Sequence, residues 1–356
     1  MPKKIAIFPI DYTNVSLARC AYMGGYEPVA LLSPELSVLE GSDIAKLDGG
    51  INTNIYLYTD YEKKILESDM VYFISKKDKS KEQLSLQLIE YAKKAKKEVV
   101  LFCETGMLYQ EYGEGCLYGN EKYVSNEEFP KLLQIEVPII SMFTIGKNCG
   151  QLQTEMLARK YFLDKGYKVM QIGSHDFMRI LGCLSIPHEM FEPAIDDLRK
   201  TLIFNKFVYK QSLIEKPDII LLGVPYPIMK YNNCNLNGLG YFPTIIQNAV
   251  KSDIGIVNMH FANYNSDFLK EISLFCKYKL NVYTRYFGIA NTSISKNVDN
   301  PSELEYLFLN KDFVKNNILV DTVNEKYMMF PVYDDEAANY VFQRIEKELL
   351  ENPEQL

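Results

Sequence analysis

The stretch from Pro138 to Tyr161, PIISMFTIGKNCGQLQTEMLARKY, constrains this chain more than any other. An apolar run of β-forming residues ends at Gly146, a short loop of Gly, Asn and Cys follows, and a helix opens near Gln151. This is the layout of a phosphate-binding loop, in which main-chain N–H groups and a helix N-terminus converge on an anion. A loop of this kind that hydrolyses nucleotides reads G-x-x-x-x-G-K-[ST], with the Lys on the β- and γ-phosphates and the hydroxyl on Mg²⁺. Here the spacing from Gly146 to Gly150 is one residue short, Gln151 stands where the Lys belongs, and Leu152 replaces the Ser or Thr. The architecture reads as a P-loop fold whose hydrolytic residues are missing.

The rest of the chain alternates strand and helix patterns. Lys4 to Pro9, Glu27 to Leu32, Met70 to Ile74 and Glu98 to Cys103 are short apolar runs of the kind that parallel strands show when both faces are covered. Ser16 to Tyr22 and Lys81 to Lys96 read as the helices between them, with a short extra strand at Ile55 to Leu57. Residues 104–136 lose this periodicity and read as a linker. The alternation then restarts, with strands at Ile139 to Ile145, Lys168 to Ile172, Asp218 to Val224, Ile254 to Asn258 and Asn281 to Phe287. Helices are expected at Gln151 to Lys165, Asp196 to Lys216, Ser266 to Lys279 and Glu336 to Glu351. The expected fold is α/β, with two doubly wound, mostly parallel sheets. Residues 1–136 would form a Rossmann-like domain and residues 137–356 a degenerate P-loop domain.

Composition narrows the function classes. With 39 basic and 46 acidic residues the net charge is −7, so no basic field favours nucleic acid. No apolar segment reaches the ~20 residues of a membrane span, and MPKKIAIFPIDY reads as a strand rather than a signal peptide, which points to the cytoplasm. Seven scattered cysteines without a C-x-x-C pair suit a reducing compartment, and neither they nor the three dispersed histidines have metal-ligand spacing. The first turn, PIDYTNVS, lacks G-x-G-x-x-G, so no nicotinamide or flavin is expected in the first half.

The candidate phosphate site comprises Gly146, Lys147, Asn148, Cys149, Gly150, Gln151 and Thr154. Backbone amides and the helix dipole would cradle an anion there, ATP or another phosphate-bearing ligand, with Lys147 supplying an ammonium from inside the loop. Thr154 lies too far along the helix to ligate Mg²⁺ without a changed loop path. Cys149, beside Lys147 and a helix start, has the setting that lowers a thiol pKa, although a small residue filling a tight turn is the commoner explanation. Ser174, His175 and Asp176 follow a strand end on the same sheet edge, either as pocket groups or as caps of a short turn. Tyr226 and Asn232 follow the strand ending at Val224, and His260 follows another strand end. All are candidates for the same crevice. The segment Gly223 to Met229 carries no carboxylate where a Walker B acid would stand, which argues against Mg²⁺-dependent hydrolysis.

The segments IISMFTIGKNCGQLQTEML, GYKVMQIGSHDF, FNKFVYK and KPDIILLGVPYPIM together resemble the peptide maturation system proteins found beside genes for ribosomally made, modified peptides. This half is more distantly similar to dethiobiotin-synthetase-like P-loop proteins. The resemblance covers residues 137–290 well and the first half loosely, and GYKVMQIGS and PDIILLGVP are its most specific parts. It implies an accessory role in making a peptide natural product, with a precursor peptide or maturation enzyme as partner. The family pattern carries a Lys near Gln151 and a Gly-Gly pair near Tyr226 and Pro227, and both departures point away from hydrolysis. Three readings follow: a phosphate-ligand binder without efficient hydrolysis, a non-catalytic scaffold for peptide or partner enzyme, and an ATP-dependent ligase acting on a carboxylate. A homodimer is the general expectation for a soluble chain.

Overall fold

The computed structural model describes residues 1–34, 36–75, 79–103, 131–296, 304–318 and 326–351. The greater part of the linker expected at 104–136 lies outside the described residues. The chain divides into two compact units, Met1–Gly119 with Asp176–Cys183, and Asn120–His175 with Leu184–Leu356. Each holds its own sheet of parallel strands.

The first unit runs β1 (Lys3–Phe8), α1 (Val15–Cys20), β2 (Tyr26–Leu32), α2 (Ala45–Asp48), β3 (Leu57–Tyr58), α3 (Tyr61–Glu67), β4 (Met70–Ser75), α4 (Lys79–Lys94) and β5 (Glu98–Cys103). Its strand order is β3-β2-β1-β4-β5, with every pair parallel. Alternate strand residues Ala6, Phe8, Ala30, Leu32, Val71 and Phe73 meet Ile65 of α3 and Leu88, Ile89 and Ala92 of α4 in one core. Because both faces are covered, the strands read as unbroken apolar runs rather than alternating ones. On β4, Tyr72 is fully buried and donates its hydroxyl to Phe177 O at 3.0 Å. Phe177 belongs to the turn Asp176–Leu181, which groups with this first unit. Asp176, one of the expected pocket residues, opens this turn.

The second unit runs β6 (Ile139–Thr144), α5 (Gln151–Asp164), β7 (Val169–Ile172), α6 (Asp197–Glu215), β8 (Ile219–Gly223), α7 (Tyr241–Ala249), β9 (Ile254–Met259), α8 (Ser266–Lys279), β10 (Thr284–Ile289), the hairpin β11 (Thr292–Lys296) and β12 (Leu304–Phe308), α9 (Lys311–Asn317), β13 (Met328–Pro331) and α10 (Asp335–Glu351). Its main sheet is ordered β13-β10-β9-β6-β8-β7, and all its pairs are parallel. β6 is central, with β8 and β9 on either side. The loop after β6 therefore opens where the crossovers change direction, the place where open α/β sheets hold ligands. One face of this sheet packs on α6, α7 and α8 through Phe204, Ile245 and Ile272, the other on α5 and α10 through Phe162 and Phe342.

The helix α7 was not expected. Its sequence, YFPTIIQNA, is rich in aromatic and β-branched residues that read as strand. Pro243 falls in its first turn, where the missing N–H has no intrahelical partner to lose, so the helix forms around it. The start of α6 follows sequence logic: the Asp196 carboxylate accepts the Arg199 N–H at 2.9 Å. Asp196→Ala removes this cap and should cost about 1 kcal/mol, read as a lowered midpoint in thermal unfolding, while Asp196→Asn retains most of it.

Candidate functional site

The turn between β6 and α5 is built as the sequence suggests, with two left-handed residues. Asn148 has φ +57° and Gly150 has φ +72°, flanking Cys149. Such alternation turns successive N–H groups toward one side. At the start of the turn the Thr144 hydroxyl donates to Gly146 O at 2.6 Å, and the Thr292 hydroxyl donates to Asn148 O at 2.6 Å from β11.

The hollow of this turn is filled by the protein itself. Cys149 is 2% exposed, and its sulfur lies 3.4 Å and 3.3 Å from Nδ1 and Nε2 of His260. The Thr144 hydroxyl and the main-chain N–H groups of Gly146, Ile145 and His260 also approach that sulfur. His260 Nε2 lies 2.7 Å from Lys147 O. A carbonyl only accepts, so Nε2 carries the proton and donates it. A Cβ on Gly146 would stand 2.7 Å from His260 Cε1, so the ring enters only because residue 146 is glycine.

This geometry changes the expected roles. Lys147 sends its carbonyl rather than its ammonium into the loop, while the residue as a whole is exposed. Gln151, in the position of the missing Lys, is buried and donates both amide hydrogens, to Met142 O and Val224 O, each at 2.9 Å. It stitches the ends of β6 and β8 and has no donor left for a ligand. Thr154 is fully buried, and its hydroxyl donates to Asn258 Oδ1 at 2.5 Å while Asn258 Nδ2 donates to Phe143 O at 2.9 Å. The two polar side chains that follow the loop therefore hold the sheet edge together.

Cys149 was a candidate for a lowered thiol pKa. The opposite holds: burial pushes it up to about 12, outweighing the hydroxyl and N–H groups around it. Burial also lowers His260, against a raising contribution from its bond to Lys147 O. The pair is thus thiol and neutral imidazole. Near-equal distances to both ring nitrogens place the sulfur off the axis of either one, so no nitrogen is aligned as its base.

Glu155, one turn after Gln151 on α5, escaped the sequence reading. It is fully buried, and Oε2 accepts the Ser174 N–H at 3.2 Å. Its carboxyl packs so closely on β8 that a Cβ at Gly223 would stand 2.3 Å from Oε2. A carboxyl group does therefore reach the end of β8, contributed by the helix rather than by the strand. Burial pushes it up to about 7, against lowering by Ser174, Gln151 and Gln171. The available signal was the run of polar residues in QLQTEML, where Gln151 through Glu155 are all buried.

The remaining candidates separate. Ser174 gives its N–H to Glu155 and pairs its hydroxyl with His175 Nδ1 at 2.8 Å. Tyr226 is 55% exposed at φ +64° and packs edge-on to Phe242 and Phe191, with centroids at 5.4 Å and 6.5 Å. Asn232 accepts the N–H groups of Cys234 and Asn235 at 2.8 Å and 2.7 Å, a side chain that closes its own turn. Of the expected pocket groups, His260 alone is drawn into the loop. Elsewhere in this unit a groove of about 550 Å³ opens between α6 and α7, lined by Leu132, Leu198, Leu202, Tyr241 and Ile245 among others. Beside it, Asn205 accepts the Leu133 N–H at 2.7 Å and donates to Leu133 O at 2.9 Å, holding one edge of a main-chain segment.

No family model matches the chain, and no curated protein matches it in sequence. Among solved structures it is similar to a DUF1611 family protein from Anabaena variabilis, with a TM-score of 0.52 at 10% identity over 81% of this chain and 87% of that one. A pseudomurein peptide ligase type C from Methanothermus fervidus aligns over 82% of this chain and 50% of its own, at 13% identity and a TM-score of 0.26. A plasmid partition protein from Borrelia burgdorferi aligns over 59% and 99%, at 14% identity and a TM-score of 0.34. The last two alignments are too loose to establish a shared fold. Together with the strand order and the β6–α5 turn, the first defines the class: an α/β protein of two parallel-sheet units, the second of them P-loop-like. Among the described residues no helix is long and apolar enough to cross a membrane.

Two outcomes check this geometry. In the native protein at pH 8, iodoacetamide should modify the exposed Cys234, while Cys149 reacts only after unfolding, as read by peptide mapping. Gly223→Ala should destabilise the protein by about 2 kcal/mol through the clash with Glu155, and by clearly less when combined with Glu155→Ala, measured as a double-mutant cycle.

Proposed function

We propose that this protein is a non-hydrolysing accessory factor in the maturation of a ribosomally made peptide, a scaffold that binds the precursor peptide or a maturation enzyme. One observation carries the non-hydrolytic part: the loop hollow holds Cys149 and His260, and Gln151 has both donors on strand carbonyls. Phosphoryl transfer needs a cation and metal ligands at that point. Neutral groups stand there instead.

The peptide part rests on the likeness of residues 137–290 to peptide maturation proteins, and the α6–α7 groove supports it. Exposed Leu198 and Tyr241 border that groove, at 62% and 61% exposure, beside a segment whose Leu133 main chain is already read by an Asn side chain. Apolar side-chain contacts beside main-chain hydrogen bonding are what recognition of an extended peptide requires.

The experiment is a pair of titrations on the full chain. ATP with Mg²⁺ should give no thermal shift and no phosphate release above background. A peptide encoded beside the gene should raise the melting temperature, and Leu198→Asp should abolish that shift while leaving the unliganded melting temperature unchanged. Phosphate release dependent on Lys147 would overturn the reading in favour of an enzyme.

A further inference from the structure

The loop from β8 to α7 displays bulky apolar side chains on a backbone that resists them. Tyr226, between Pro225 and Pro227, has φ +64°, and Leu239 has φ +54°. Both side chains face solvent, at 55% and 54% exposure. Left-handed backbone strains any residue with a Cβ, and glycine alone adopts it freely. Leu239 stands in an unbroken left-handed run, with Asn237, Gly238 and Gly240 at φ +48°, +60° and +67°. Neighbouring contacts fix that run. Lys279 Nζ donates to Leu239 O at 3.0 Å, Asn237 Nδ2 donates to Met229 O at 3.2 Å, and a Cβ on Gly240 would stand 1.8 Å from Ile228 O. Strain held in place for a solvent-facing side chain adds nothing to the core, and such positions collect at binding sites. Tyr231, Leu236 and Tyr241 are exposed along the same stretch, beside Asn232, Asn233 and Asn235. Tyrosine with asparagine and glycine is the composition of recognition loops, which combine rigid aromatic area with adaptable hydrogen bonding.

Charge selects the occupant. From Ile219 to Ser252 the chain has no Asp or Glu, although it holds 46 acidic residues and a net charge of −7. Lys230 lies in the loop and donates to the neutral Asn233 Oδ1 at 3.0 Å. Lys279 joins the loop at Leu239 O. Exposed Lys147 stands in the adjoining β6–α5 turn, where Thr144 O accepts the Ile228 N–H at 2.9 Å and Ile145 O accepts from Asn237 Nδ2 at 3.5 Å. Among the described residues none of these three ammonium groups is in an ion pair. Carboxylates at the edge of the loop are already engaged: Asp197 accepts the Tyr241 hydroxyl at 2.7 Å, and Glu192 lies 2.7 Å from His188 Nε2.

We propose that the β8–α7 loop is a docking face for an acidic, apolar-bearing extended peptide, whose carboxylates meet Lys147, Lys230 and Lys279 while its apolar side chains pack on Tyr226, Leu239 and Tyr241. The proposal rests on the peptide-binding reading above and adds the chemistry of the peptide and a second contact. Tyr241 belongs both to this loop's end and to the α6–α7 groove, so one peptide runs from the groove onto the loop. Successive side chains of an extended peptide point to opposite sides, so alternating acidic and apolar residues offers one row to the lysines and one to the exposed rings.

The test is fluorescence anisotropy on the full chain with two capped, fluorescein-labelled peptides of equal length, one alternating Leu with Glu and the other Leu with Gln. The Leu-Glu peptide should bind about fivefold more tightly, the effect of exposed ion pairs, and added salt should erase the difference. Lys230→Gln, at an exposed side chain, should narrow it without touching the backbone. Leu239→Gly should weaken the Leu-Glu peptide about fivefold, because half a leucine side chain is no longer buried. Its melting temperature should not fall, since glycine relieves the left-handed strain. The proposal is overturned by equal binding of the two peptides or none, by wild-type affinity in Leu239→Gly, or by a clearly lowered melting temperature in that variant. It is also overturned if sedimentation shows a dimer that Leu239→Gly dissociates, which would make the face a contact between two copies. In each case the groove reading stands if the precursor peptide still gives its Leu198-dependent thermal shift, and loss of that shift counts against the groove alone.

Discussion

The second unit depends on how the polar groups beneath the β6–α5 turn are satisfied. In a nucleotide-binding loop an anion accepts the converging N–H groups, and the fold tolerates an empty hollow because water fills it. Here Cys149 and His260 enter from the turn and from the end of β9, and the loop closes on them. Small residues make this feasible: Gly146 leaves space for the ring, and Gly150, in contact with Val332, lets α5 start close to the sheet. With the hollow occupied, the residues that follow are free to become structural. Gln151 and Thr154, one helical turn apart, bind strand carbonyls and Asn258 and tie α5 to β6, β8 and β9.

Buried polar networks of this kind stabilise only when every member is paired. Around the loop Gln151, Thr154 and Asn258 are paired with one another or with strand carbonyls. Asn148 Oδ1 in the turn, Gln153 Oε1 and Glu155 Oε1 on α5, and Gln171 Oε1 on β7 are buried without a hydrogen-bond partner.

Much of the architecture was legible in the sequence because parallel strands covered on both faces read as short apolar runs, and IAIF, MVYFI, IISMF and IILLG do so plainly. Boundaries moved where turns intervened, as at β10, which begins at Thr284 rather than Asn281. The α7 helix was hidden by its β-branched and aromatic residues, and the β11–β12 hairpin by weak alternation. At the site, the turn itself was legible from Gly146, Asn148 and Gly150. The absence of Lys and Ser/Thr from the usual positions was legible, yet what their replacements contact was not. His260 lies 111 positions from Cys149, and no local pattern links them. Cys149 illustrates the competition of effects: a neighbouring Lys and a helix start argue for a low thiol pKa, and desolvation overrides both once the sulfur is enclosed. Glu155 was overlooked because a charged residue in a helix is ordinarily solvent-facing, and only the enclosure of α5 between the sheet and α10 places it inside.

The central claim is that the β6–α5 loop is closed on its own side chains and does not hold phosphate. A crystal structure grown with saturating ADP and Mg²⁺ tests it most directly. The account predicts Cys149 still seated on the His260 ring and no phosphate density inside the loop. A phosphate cradled by the amides of residues 147–151, with His260 swung out of the turn, would contradict it.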